Sequence, residues 1–250
     1  MKDPKNIAAS IRQRLLNRAR NDNRPFNELL QYYGMERFLY RLSLSPYAQQ
    51  FILKGALMLR IWNAPESRPT MDIDMLGRTS NEEERIIAQI NTILSTKVIE
   101  DGLIFNADSI KAERITEDAD YQGIRIRFTG TLETAKVHIQ LDIGFGDIIY
   151  PQPEESILPT LLDLPAPKLL AYSRESAIAE KFEAMVKLGA INSRMKDFYD
   201  IWMLSRQFSF NGAQLAKAIR LTFNQRGTQL PIEVEAFSNP FIDAKQIQWT

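Results

Sequence analysis

The chain has 250 residues, 44% of them hydrophobic and 25% charged, with 31 basic and 31 acidic side chains. This is an ordinary globular composition, with room for one large domain or two modest ones, and its balanced charge leaves any polyanion-binding surface to local patches. The absence of cysteine excludes disulfides, thiolate zinc sites and cysteine nucleophiles, and one histidine, His138, disfavours a histidine-built metal site or a Ser-His-Asp triad. Catalysis must then draw on carboxylates, lysine, arginine, hydroxyls and a metal, and His138 is read as structural.

The N-terminus lacks an apolar signal core and no apolar run approaches membrane-spanning length, so the expectation is a soluble, cytoplasmic protein with no membrane partner. Residues Asn6 to Tyr47 read as helical, with a break at Asn23 to Pro25. Seven arginines (Arg12, Arg14, Arg18, Arg20, Arg24, Arg37 and Arg41) make this region basic, and a solvated helix face is favoured over a nucleic-acid track. Pro46 to Trp62 reads as a mostly apolar helix that contains Lys54-Gly55-Ala56. A Pro-bounded loop follows, then Met71-Asp72-Ile73-Asp74-Met75.

Read as a strand, that pentapeptide sets Asp72 and Asp74 on one face about 7 Å apart and sends Met71, Ile73 and Met75 into a core. Asn81 to Ser95 predicts an amphipathic helix with Ser80 as N-cap. Ser109 to Ile115, Gly123 to Gly130 and Lys136 to Ile143 alternate as strands, the last running into the bend Gly144-Phe145-Gly146-Asp147. Tyr150 to Pro167 holds five prolines and reads as a connector. Helices are expected at Ser176 to Gly189, Lys196 to Ser205 and Asn211 to Phe223. The C-terminal Gln246 to Thr250 shows no helix stop, as a truncated chain or a short last element would. The outline is α+β: residues 1–150 with a small sheet, then a helical region over 151–250.

The chemistry centres on the two acids. Adjacent carboxylates repel unless a cation sits between them, and hard ions such as Mg2+ take oxygen ligands of this kind. Asp142, on the polar face of its strand, is the best third carboxylate. Three such groups can hold two Mg2+ ions roughly 4 Å apart for phosphoryl or nucleotidyl transfer. Gly55, with Ala56 in the same turn, would let backbone N–H groups approach a triphosphate, and Lys54, Arg68 and Lys181 are candidate phosphate partners. An isolated Asp-x-Asp is common by chance. The order of glycine turn, Asp-x-Asp strand and later single-Asp strand is what raises the signal. The segment from Ala179 to Asp200 reads as structural on spacing alone, with Lys196 and Asp200 as an i,i+4 surface ion pair.

Taken together, the runs LKGALML, RPTMDIDM, LDIGFGD, SAIAEKFEAMV and NSRMKDFYDIW strongly resemble the AbiEii/AbiGii family of nucleotidyltransferase-like toxins, from about Arg37 to Leu204. The resemblance implies a polymerase-beta-like nucleotidyltransferase fold, a small mixed sheet followed by a helical C-terminal region. It also implies an NTP substrate, Mg2+, a cognate antitoxin, and a role in a toxin–antitoxin or phage-defence system. Some relatives add nucleotides to tRNA 3′ ends, which makes an RNA acceptor, tRNA first, the expectation here. By position, Asp72 and Asp74 match the metal-binding acids, Gly55 the nucleotide-binding turn, Lys181 the second-half lysine and Asp197 the acid after it. That match replaces the structural reading of this segment: Lys181 would face the triphosphate and Asp197 would close the site. Asp147 competes with Asp142 for the third carboxylate. Where the family's turn is usually Gly-Gly or Gly-Ser, Ala56 follows Gly55 here.

Overall fold

Two helices open the chain where the apolar spacing places them, α1 (Pro4–Asn21) and α2 (Phe26–Leu44), separated by the break at Asn23 to Pro25. The computed structural model describes residues 4–64, 69–117 and 121–249. From Leu29 to Leu42 almost every side chain of α2 is buried, polar ones included, so the helix runs through the interior and shows no clean amphipathic stripe. The arginine reading needs correction here, because Arg37 and Arg41 are buried rather than solvated. Each guanidinium meets an acid, which offsets part of the cost of burial. Arg41 grips Asp101 at 2.7 and 3.1 Å, and Arg37 sits 2.8 Å from Glu36 and donates to the Pro165 carbonyl.

The apolar run expected as one helix over 46–62 is instead strand β1 (Phe51–Lys54), a single 3-10 turn (Gly55–Leu57) and the short α3 (Met58–Ile61). A fully buried strand shows no alternation, so a short apolar run does not separate the two states by period. β1 is flanked on both sides, and Gly55, at φ +72°, ends it sharply. Strand β2 (Ile73–Gly77) carries the second acid. Met71 precedes it in a bend and is 55% exposed rather than packed in a core, because the alternation starts only at Ile73.

Next come α4 (Glu83–Leu94), whose N-cap position is Glu82 rather than Ser80, and the strands β3 (Leu103–Glu117), β4 (Tyr121–Leu132) and β5 (Ala135–Phe145). The Ser80 hydroxyl instead accepts from the Glu82 N–H at 3.3 Å. The proline-rich connector contains β6 (Glu154–Ile157) in its Pro-free stretch, and β7 (Lys168–Ala171) follows it. The sheet order is β3-β4-β5-β2-β1-β7-β6. β2 runs parallel to β5 and β1 parallel to β7, while β1/β2, β3/β4 and β4/β5 are antiparallel. One face, with Val137, Ile139, Ile126 and Phe128, packs under α2. A Cβ on Gly34 of α2 would meet Val137 at 2.6 Å, so the missing side chain sets how closely helix and sheet approach.

The chain forms two compact units, Met1–Gly146 with Glu155–Ala171, and Asp147–Glu154 with Tyr172–Thr250. The second is built from α5 (Arg174–Leu188), α6 (Met195–Gln207), α7 (Gly212–Gln225) and α8 (Asn239–Trp249). Ser173 caps α5 by accepting from the Ser176 N–H, Gly189 at φ +48° stops it, and Asn211 caps α7. Its core gathers Met185, Ala236 and Phe241 with Phe182, Phe198 and Ile201 against them.

Candidate active site

On the sheet face opposite α2, the strand registers place five charged residues in one row across five strands. Glu113 of β3 is opposite Arg125 of β4, Arg125 opposite Asp142 of β5, Asp142 beside Asp74 of β2, and Asp74 opposite Lys54 of β1. Cross-strand partners present their side chains to the same face with strands ~4.8 Å apart, so Asp74 and Asp142 are immediate neighbours. Asp142, proposed from alternation, is therefore brought beside Asp74.

The two acids of the Asp-x-Asp run are held differently. Asp74 lies against the glycine turn: a Cβ on Gly55 would stand 1.9 Å from Asp74 Oδ2 and 2.7 Å from its Cβ and Cγ. The glycine leaves the space that the carboxylate fills. Asp72 lies just before β2, where the Thr70 hydroxyl donates to its Oδ1 at 2.5 Å. Thr70 is placed in turn by α2, because its N–H donates to the Tyr32 hydroxyl at 3.1 Å. The neighbouring Gln31 amide donates to the carbonyls of Met71 and His138, tying the entry of β2 to β5. Ala56 is buried at the start of the 3-10 turn. Arg68 falls outside the described residues.

Both oxygens of Asp142 are taken by Arg125, whose Nε and Nη2 donate at 2.7 and 2.8 Å. That hydrogen-bonded fork, against a smaller opposing effect of burial, raises the Arg125 guanidinium above its ordinary value, and the charges of Asp142, Glu113 and Asp72 add to it. Among the described residues no three of His, Cys, Asp or Glu are grouped as a metal-ligand set. By donor chemistry, the half-buried carboxylates of Asp72 and Asp74 are the pair that would hold one hard divalent ion. A third ligand from Asp142 requires Arg125 to let go.

In the second unit, Lys181 of α5 is largely buried, with Nζ 2.6 Å from Asp197 Oδ1 and 2.9 Å from Asp200 Oδ2. Burial pulls the Lys181 ammonium down, but the two carboxylates outweigh it and hold it above its ordinary value. Asp197 also accepts Arg194 at 3.1 Å. The expected surface pair of Lys196 with Asp200 is corrected by this geometry, since Asp200 is 1% exposed and bound to Lys181. Asp147 belongs to this unit and pairs with Arg226 at 3.0 Å, and Arg226 also meets Glu183 at 2.9 Å.

Four residues of the site went unread in the sequence: Arg125, Thr70, Tyr32 and Gln31. Arg125 had a signal, since the same alternation that exposes Asp142 exposes it on the preceding strand. The α2 residues had none, because their role depends on a helix-to-strand contact about 40 positions away.

The class of the protein, a nucleotidyltransferase built on a mixed sheet, follows from its family. The chain matches the family model of the nucleotidyl transferase AbiEii toxin, type IV TA system, over residues 37–250, and it belongs to that family. Among solved structures it is similar to a candidate nucleotidyltransferase from H. pylori at 14% identity and a TM-score of 0.48, with 88% of this chain and 81% of that chain covered. It is also similar to JHP933 from Helicobacter pylori at 15% identity and a TM-score of 0.46, with 88% of both chains covered. No match is found among curated proteins. Family membership implies an NTP substrate and an antitoxin partner. No helix among the described residues is long and apolar enough to cross a membrane.

Proposed function

We propose that the chain transfers a nucleoside monophosphate from an NTP to the 3′ end of an RNA, tRNA first, in an Mg2+-dependent reaction that serves toxin–antitoxin control or phage defence. The observation that carries the reading is Asp74 packed into the space left by Gly55, with Asp72 on the same short segment. The acceptor hydroxyl gives up its proton to solvent, its oxygen bonds to the α-phosphorus, the α–β phosphoanhydride bond breaks, and pyrophosphate leaves with the electron pair. Little covalent chemistry is asked of the protein; it must position the reactants in line and spread charge. Mg2+ held by Asp72 and Asp74 would supply that charge and lower the pKa of the attacking hydroxyl.

The chain's own residues do the rest. Gly55 gives the Asp74 carboxylate its place against the turn, and Lys54 stands next to it on the same row as Asp74. Thr70 fixes the Asp72 carboxylate so that it does not rotate away. Lys181, with Asp197, is proposed as the triphosphate-facing lysine, a role that requires it to exchange a carboxylate partner for phosphate.

The test is incubation with each α-labelled NTP, Mg2+ and total tRNA, alongside other RNAs and protein fractions. Label in tRNA, lost in Asp72→Ala and Asp74→Ala, supports the reading. Label in protein instead moves the acceptor to another class, and NTP binding without transfer to anything indicates a regulator.

A further inference from the structure

The row Glu113, Arg125, Asp142, Asp74, Lys54 leaves one group with a divided allegiance. Arg125 spends both arms of its fork on Asp142, the carboxylate in register with Asp74. Its remaining nitrogen, Nη1, lies 3.8 Å from Glu113, which already holds Arg127 at 2.9 Å. The guanidinium therefore sits between two acids, one in the centre of the site and one toward the sheet edge. A bidentate guanidinium fills the same lone pairs that a divalent ion would take, and the two cations repel each other at that distance.

We propose that Arg125 is a resident counter-ion of the metal site, holding Asp142 closed as a ligand until a divalent ion displaces the guanidinium toward Glu113. The proposal rests on Asp72 and Asp74 being the metal pair. Recruitment of the third carboxylate is coupled to a rotation of Arg125 about its side chain, with Glu113 taking up the released charge. Until then the row is nearly neutral, and Asp142, only 9% exposed, is not left as an uncompensated buried charge. A purely structural cross-strand ion pair would stabilise the sheet and have no effect on metal affinity, which separates the two accounts.

The experiment is a Mn2+ titration of the full chain, followed by the electron paramagnetic resonance signal of the free ion, with thermal melts run with and without Mn2+. Arg125→Gln should bind Mn2+ about tenfold more tightly than the wild type, because the ion no longer competes with a charge-assisted fork. Its melting temperature should also rise more on adding Mn2+. Arg125→Lys, which keeps the charge but loses the fork, should fall between the two and serves if the glutamine variant folds poorly. Adding Asp142→Asn to Arg125→Gln should return affinity to the wild-type level. Unchanged or weaker Mn2+ affinity in both Arg125 variants, or a gain that survives Asp142→Asn, overturns the proposal. If the wild type still loses Mn2+ in Asp72→Asn/Asp74→Asn, the metal pair stands and only the role of Arg125 falls. No Mn2+ binding by any form defeats both.

Discussion

Gly55→Ala separates a catalytic glycine from a merely structural one. The residue sits at φ +72°, where an L side chain costs about 1–2 kcal/mol. The added methyl would also stand 1.9 Å from Asp74 Oδ2, whereas non-bonded heavy atoms settle roughly 3.5 Å apart. The carboxylate must therefore retreat by roughly 1–2 Å, and a ~1 Å misplacement of a reacting or metal-holding group costs about 100-fold in rate. Strain and overpacking together should lower stability by about 3 kcal/mol. Gly227→Ala is the control: φ is +65° there, but no atom lies within 4 Å of the new Cβ. It carries the backbone cost alone, about 1–2 kcal/mol. Urea melts and NTP transfer assays should show both variants destabilised and only Gly55→Ala inactive, by about 100-fold or more. If Gly55→Ala keeps transfer within a few-fold of the wild type, the packing of Asp74 on the turn does not matter for the chemistry.

Thr70→Val removes the hydroxyl that holds Asp72 while preserving shape, and should cut transfer about tenfold with little change in melting temperature, as expected for one lost hydrogen bond of ~1 kcal/mol. Asp101→Asn leaves the buried Arg41 without its charge partner, a loss of about 3–5 kcal/mol that calorimetry should register as a fall of roughly 10 °C. Lys181 is held protonated above its ordinary value of 10.5, so its contribution is fully present below about pH 10.5 and is lost as pH rises through the folded-state value. Stability measured by urea melts should accordingly fall above pH 10.5. A Lys181→Met chain, already weaker, should lose that part of the pH dependence; an unchanged slope would remove the lysine as its source.

The centre of the fold was readable where one face of an element is wet and the other dry. β4 and β5 alternate apolar with polar, so Arg125, Asp142 and their strand faces follow from the period of two. The end of α5 at Gly189 belongs to the same local class. β1 was not legible, because a strand with neighbours on both sides presents the same unbroken apolar run as a buried helix. The burial of Arg37 and Arg41 was hidden for a related reason: their partners, Pro165 and Asp101, are 128 and 60 positions away, and no local pattern announces them. At the site, types and order pointed to Asp72, Asp74 and Gly55. The contacts that hold them, Thr70 on Asp72 and Asp74 against Gly55, needed coordinates. Lys181 is the sharpest contrast, since its motif points to phosphate while its geometry shows two carboxylates that already satisfy it.

The Asp-x-Asp segment that leads into β2 is proposed as the catalytic centre of this nucleotidyltransferase toxin. Its most direct test is growth after induced expression of the chain without its antitoxin, compared with Asp74→Asn at equal folded protein level. The account predicts arrest by the wild type and normal growth with the variant. Arrest by both at equal strength would contradict it.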